Sequence, residues 1–300
     1  MFPSGSTEAA AESAAPTDDD LDEIEITPVR PALSVAIAAF AALVGVGLVF
    51  GAQSSSPGAR GAFALVLAGV QVLYVLAWLM ATRPPALLVV GGICLVVAGW
   101  SDLTAVRSAE PGLAPLIYIA LAGVAATVIS QVIRPADRRR ISESLRATLA
   151  LVVGVVAFAA LIMLSRVPLG TQVIFLCVTA SAVALVIARL VDAVYPKPRL
   201  APQVARGAAG VIFGAMAGTL LSAVIGSYLY TFSPTSAAVV GLVTAVFAVL
   251  ADLAVDYAEA GRQMAGDLPT LWVARHMQGP LGGFALAAPA AYIMTVLFLT

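Results

Sequence analysis

AAVVGLVTAVFAVLADLAVDY, residues 237–257, decides how the chain is read. Twenty-one residues at about 1.5 Å rise each span roughly 30 Å, the thickness of a bilayer's hydrocarbon core. The stretch carries only two charges, Asp252 and Asp256, which at i and i+4 share one face of a helix. A carboxylate in hydrocarbon costs about 2.5–3.5 kcal/mol on insertion scales, so both acids call for a use. One use is a site where two acids share a metal ion, a proton or a cationic partner. The other is structural: Asp256, beside the interfacial Tyr257, is solvated, and Asp252 pairs with an arginine such as Arg189 or Arg206.

The rest of the chain has the same character. Hydrophobic residues make up 61% and charged residues 11%, with mean hydropathy +0.99, whereas soluble domains carry about 25% charge. Apolar runs at 32–52, 61–81, 86–100, 113–133, 147–164, 171–194, 210–230, 237–257 and 281–299 predict nine spans. They are too long and too uniformly apolar for barrel strands. The expected fold is therefore all-α, a polytopic membrane bundle of about nine transmembrane helices over residues 29–300. Residues 1–28 read as a disordered acidic tail, and the acids ahead of the first span argue against a cleavable signal peptide.

Charge is unevenly placed. Eight of the 17 acids lie in the first 25 residues, which leaves 16 bases against 9 acids in the remainder. Loops after the even-numbered spans hold 12 basic residues and those after odd spans only Arg60, Arg107 and Arg166. The positive-inside rule then puts the N-terminus in the cytoplasm and the C-terminus outside. Fifteen arginines against one lysine point to a GC-rich, bacterial coding genome, hence a bacterial inner membrane.

Few other residues carry chemistry. Cys94 and Cys177 fall in spans and read as packing residues, and with His276 alone in a loop no soft-ligand zinc site is expected. Arg189 and Asp192, three apart, read as an intrahelical ion pair. Gln71 and Gln131 read as interhelical hydrogen-bond donors, and Gly210, Gly214 and Gly218 as a flat packing ridge. Arg138, Arg139 and Arg140 suit lipid headgroups or a partner as well as topology. The acidic run at 18–26 suits a basic partner or plain solvation.

Residues 171–300 resemble the phosphatidate cytidylyltransferases, or CDP-diacylglycerol synthases. Residues 241–253, ending Leu250-Ala251-Asp252-Leu253, are similar to that family's penultimate span, with Asp252 on its acid. The connector from Tyr195 through Lys197 and Arg206 to Gly210 resembles its Ser-Pro-Lys-Lys loop, and Pro289 its last-span proline. The resemblance implies a multispan fold that joins CTP to phosphatidate on divalent metal. The departures are large. Ser181-Ala182 replaces a Ser-Asp step, Arg206 stands alone for paired lysines and a glutamate, Val255-Asp256 replaces Glu-Ser and Glu259-Ala260 replaces a Lys-Arg pair. Met277-Gln278-Gly279 and Gly282-Gly283-Phe284-Ala285 replace the final His-Gly-Gly and Asp-Arg-x-Asp. Losing those acids removes metal-based stabilisation of phosphoryl transfer.

The leading expectation is a catalytically degenerate member that binds lipid or a membrane protein, with magnesium only if the activity is retained. Candidate residues are Asp252 for catalysis, Asp252 and Asp256 for metal, and Arg206 with Arg138, Arg139 and Arg140 for headgroups or a partner. Two alternatives stand: a transporter with Asp252 on an ion path, and a scaffold recruiting partners through its acidic tail. No nucleic-acid partner is expected.

Overall fold

Prolines and glycines punctuate the chain, and helices fill what lies between. A computed structural model describes residues 28–54, 60–84, 87–133, 141–229, 232–266 and 270–298. The helices are α1 Pro31–Gln53, α2 Arg60–Thr82, α3 Leu87–Arg107, α4 Ala114–Val132, α5 Ile141–Leu164, α6 Gly170–Val194, α7 Ala208–Tyr228, α8 Pro234–Met264 and α9 Trp272–Phe298. No strand occurs among the described residues. α1, α4 and α8 each place a proline in the first turn, where its missing N–H is not needed. Ser233 caps α8, its Oγ accepting the Ser236 N–H at 3.0 Å.

Eight of these helices are long and apolar enough to cross a membrane, and α4 is a shorter apolar helix. This fits a multi-pass integral membrane protein. The order of the segments follows the apolar runs, but α5 starts at Ile141 rather than 147 and three other boundaries move further. α3 continues past Trp100 to Arg107, which carries Asp102 into the bundle. α9 begins at Trp272 rather than near 281, so His276 is helical and half-buried rather than in a loop. α8 reaches Met264 and at about 1.5 Å per residue is roughly 46 Å long, more than the about 30 Å of a bilayer's hydrocarbon core. Charges end a hydropathy window, whereas a paired charge does not end a helix.

α6 packs on α1, α7 and α8, and α8 packs on α7 and α9. α2, α3, α4 and α5 form a second group, joined to the first mainly where α9 meets α2 and α5. α5 is the apolar centre: every residue from Val155 to Leu164 is buried, as befits a helix that is hydrophobic all round. Lipid tails are as apolar as leucine, so close packing and polar pairs hold such a bundle together.

α7 shows the packing rule plainly. Its buried residues are Ala209, Gly210, Gly214, Gly218, Ser222 and Gly226, one small row. A methyl group at Gly214 would stand 2.5 Å from the Ala184 carbonyl oxygen, and one at Gly218 2.7 Å from that of Ala180. The ridge expected from Gly210, Gly214 and Gly218 therefore lies directly on the α6 backbone. The other faces of α7, with Phe213, Met216, Leu220 and Tyr228, are exposed.

Gln71 acts as the interhelical donor expected of it. Its amide donates to Asp102 Oδ1 of α3 at 2.9 Å and to the Val155 carbonyl of α5 at 3.0 Å. Gln131's side chain, the 18–26 run and the connector bearing Arg138, Arg139 and Arg140 lie outside what the structure describes.

Candidate functional site

Five charged side chains converge where the C-terminal ends of α6 and α8 meet the connector between α6 and α7. Asp252 is fully buried in α8, and its two oxygens serve different arginines. Oδ1 lies 2.5 Å from Arg189 Nη2 of α6, and Oδ2 lies 2.6 Å from Arg206 Nη1 of the connector. Asp256, one turn on and partly exposed, sets Oδ2 at 3.1 Å from Arg189 Nη2 and 3.0 Å from Arg206 Nη1. The i, i+4 spacing thus holds two carboxylates against two guanidinium groups.

Asp192 completes the set from α6. Its Oδ1 accepts the Gly207 N–H at 2.9 Å, which pins the end of the connector. Its Oδ2 stands 2.5 Å from Arg206 Nε, a charge contact set off the hydrogen-bond direction. Arg189 and Asp192 are therefore not the intrahelical pair that their spacing predicts. Arg189 turns outward to α8, and Asp192 serves the connector, because each finds a better-placed partner there.

Arg206 is the pivot, 1% exposed although it belongs to a loop. Burial alone would lower its pKa, but Asp252, Asp256 and Asp192 together hold it above the usual arginine value. A buried charge with three opposite neighbours stays charged. Removing one partner from such a set typically costs about 3–5 kcal/mol, because the others are left uncompensated.

α9 closes over the cluster through a missing side chain. A methyl at Gly279 would collide with Asp252 Oδ1 and stand 3.1 Å from Arg189 Nη2. The neighbouring Gln278 is fully buried with neither amide atom partnered, and Arg206 Nη2 and Arg189 Nε are buried without an acceptor. Those unmet groups are mostly donors. By charge the cluster has one more carboxylate than guanidinium; by hydrogen bonding it is short of acceptors.

On its outer side the cluster borders a cavity of about 320 Å³. Arg30 at the entrance to α1, Arg189, Arg206, Asp256, Glu259 of α8 and Arg275 of α9 supply its charged walls. Arg275 pairs with Glu259, which also accepts the Gln263 amide at 3.0 Å. Trp272 sets its ring edge-to-face on His276 at 5.4 Å between centroids. The distinctive property is a polar, half-charged hollow at the end of an otherwise apolar bundle.

The magnesium that the resemblance implies does not fit this donor set. The oxygens of Asp252 and Asp256 that an ion would use face the guanidinium groups of Arg189 and Arg206. Among the described residues no three His, Cys, Asp or Glu side chains form a metal-binding group. Of four positions drawn from the resemblance, Arg206 and Asp252 come together and two stand elsewhere. Ala182 packs under Gly45 of α1. Gly282 lines a separate apolar crevice with Tyr74 and Trp78.

Sequence reasoning did not bring Arg30, Glu259 or Arg275 to this hollow, nor did it single out Gln278 as a buried amide. The first three lie near helix ends, where a charge ordinarily signals only the interface. A count of polar residues near the ends of spans six and eight and the start of span nine was the available signal. Comparison with protein-family models, with curated proteins and with solved structures finds no match for this chain.

Proposed function

We propose that this chain is a non-catalytic, membrane-embedded binding protein, related in scaffold to the phosphatidate cytidylyltransferases, whose hollow takes the anionic headgroup of a membrane phospholipid. The observation that carries the reading is the state of Asp252. The side chain on the family's acidic position is fully buried and saturated by Arg189 and Arg206, so it neither holds an ion nor moves a proton while the cluster stands. The unmet donors of Arg206 and Arg189, both of which line the hollow, ask for acceptor oxygens, which a phosphoryl headgroup supplies. A bacterial inner membrane with the cluster on the cytoplasmic side belongs to the same reading, supported by the basic even-numbered loops.

The test is binding and turnover on the purified full chain. Phosphatidate is expected to raise the melting temperature where phosphatidylcholine does not, with no CDP-diacylglycerol formed from CTP and phosphatidate in magnesium. Equal shifts for both lipids defeat the binding reading, and turnover that Asp252→Ala abolishes defeats the non-catalytic one. A transport reading draws on one observation, that Asp102 is a further buried acid within a span, away from the cluster of Asp192 and Asp252. Proton-coupled uptake in proteoliposomes, lost in Asp252→Asn, would favour it.

A further inference from the structure

A second cavity, a crevice of about 200 Å³, shares no lining residue with the hollow. Among the described residues α8 packs on neither α2 nor α5, and the crevice is the gap left between them, floored by Gly282 and Ala285 of α9. Gly154 of α5 stands in one wall and Ala251, Ala254 and Ala258 of α8 in the other. We propose that this crevice holds one acyl chain of a membrane phospholipid, whose ester carbonyl accepts the indole N–H of Trp78.

Three features carry the proposal. The first is an unmet donor. Trp78 lines the crevice, nine-tenths buried, and its Nε1–H has no acceptor among the described residues. Its ring lies 5.8 Å from that of Tyr74, but the Tyr74 hydroxyl is committed elsewhere, donating to the Ala150 carbonyl at 2.8 Å. An N–H left unpaired away from water is costly. A bare hydrocarbon chain offers it nothing, whereas an ester carbonyl accepts it.

The second is depth. α2 ends at Thr82, α5 begins at Ile141 and α8 ends at Met264, and helices that cross in alternation bring these three ends to one membrane surface. Trp78 lies one turn inside the end of α2, the interfacial level at which tryptophan gathers and at which a phospholipid's esters meet its chains. From Ala258 to Ala251 the crevice then follows α8 inward for two turns, about 10 Å. A chain can lie along it with its ester end at Trp78.

The third is shape. The lining is almost entirely carbon, and apolar cavities stay dry. Val153, Ala254 and Leu286 at the rim are exposed, whereas Gly154, Ala251 and Ala285 within are buried, so the crevice opens on its lipid side. Its volume is below the about 300–1,000 Å³ of pockets for whole drug-sized ligands. One turn of a partner helix, about 10 Å across and 5.4 Å high, needs roughly twice what is there. A single slender chain fits.

The bound chain bridges α8 to α2 and α5, which do not reach it themselves. Its recognition is through the ester and the chain rather than the headgroup, so this lipid is additional to the one proposed for the hollow, and neither reading rests on the other. It stays with the protein through purification, so phosphatidylcholine added to the purified protein finds the crevice filled.

The test strips the full chain of lipid by prolonged detergent exchange and titrates it with phosphatidylcholine in diester and diether forms, read as the one-lipid adduct in native mass spectrometry. Phosphatidylcholine keeps the measurement off the hollow, whose expected ligand is anionic. The diester is expected to bind about fivefold to tenfold more tightly than the diether, the worth of one hydrogen bond, and Trp78→Phe is expected to bind both equally. Ala254→Phe, which fills the crevice, is expected to lose the adduct. Gly69→Phe on α2, where nothing stands within 4 Å, keeps it. Equal affinity of the unaltered chain for the two forms, a preference that survives Trp78→Phe, or an adduct that survives Ala254→Phe overturns the proposal. Freshly purified protein that carries an isoprenoid and no phospholipid overturns it too.

Discussion

Arg206 meets Asp252 at 2.6 Å with both side chains shielded from solvent, although one comes from a loop and the other from the middle of a sequence of apolar residues. The contact fastens the α6–α7 connector to α8 and, through Asp192 and Arg189, to α6.

The first prediction concerns that contact. Asp252→Asn keeps the volume and removes the charge, which leaves Arg189 and Arg206 to Asp256 and Asp192. A loss of about 3–5 kcal/mol is expected, read as a fall in melting temperature in detergent. Arg206→Lys is expected to fail almost as badly, because a single ammonium cannot serve Asp192, Asp252 and Asp256 as the flat guanidinium fork does. An unchanged melting temperature in both variants would mean that the cluster holds nothing together.

A second prediction separates two glycines on one helix. A methyl group at Gly279 collides with Asp252 Oδ1, whereas at Gly282 its nearest neighbour is Val255 Cγ2 at 3.8 Å. Gly279→Ala is expected to destabilise by about 1–3 kcal/mol through overpacking. Gly282→Ala should be neutral or mildly stabilising, since alanine is the better helix former by about 1 kcal/mol. Thermal unfolding of the pair decides it, and equal effects would refute the approach of α9 to the cluster.

The ridge of α7 gives a third. Gly218→Leu is expected to dislodge α7 from α6, seen as aggregation or loss of a monodisperse peak on size-exclusion chromatography. Gly47→Leu on α1, where nothing stands within 4 Å, should leave the elution profile unchanged.

Gln71 gives the last. Gln71→Leu strips Asp102 and the Val155 carbonyl of their shared donor, a loss of about 1–3 kcal/mol for buried groups left unsatisfied. Adding Asp102→Leu to that variant should return part of the stability. If the double variant melts lower than the single one, Asp102 has a partner beyond Gln71.

Much of this was legible in the residues. Among the described residues the apolar runs became helices in order, since length and hydropathy are local properties and a membrane reads them directly. The spacing of Gly210, Gly214 and Gly218 announced close packing, whereas Asp252 left open a metal ion, a proton or an arginine such as Arg189 or Arg206, and both arginines meet it. Misreadings came where a charge had a partner distant in sequence. The third apolar run stopped at Trp100, short of Asp102, because Gln71, 31 residues earlier, is invisible to a window. The spacing of Arg189 and Asp192 pointed to a local pair, yet the pairings run between α6, the connector and α8. Gln278 carried no signal, because a glutamine beside a helix start is ordinarily wet.

The arrangement of the cluster also sets an order of assembly. Arg189 and Asp192 enter the bilayer with α6, Arg206 follows on the connector, and α7 must then be threaded before Asp252 arrives on α8. Until that moment the arginines lack their main counter-charge, and each charge at bilayer depth carries an insertion cost of about 2.5–3.5 kcal/mol. The chain's charge balance is therefore completed only when the insertion machinery has released its eighth helix. A nascent protein stalled after α7 would expose a cationic surface at the membrane edge, a mark by which quality control could tell it from the finished molecule.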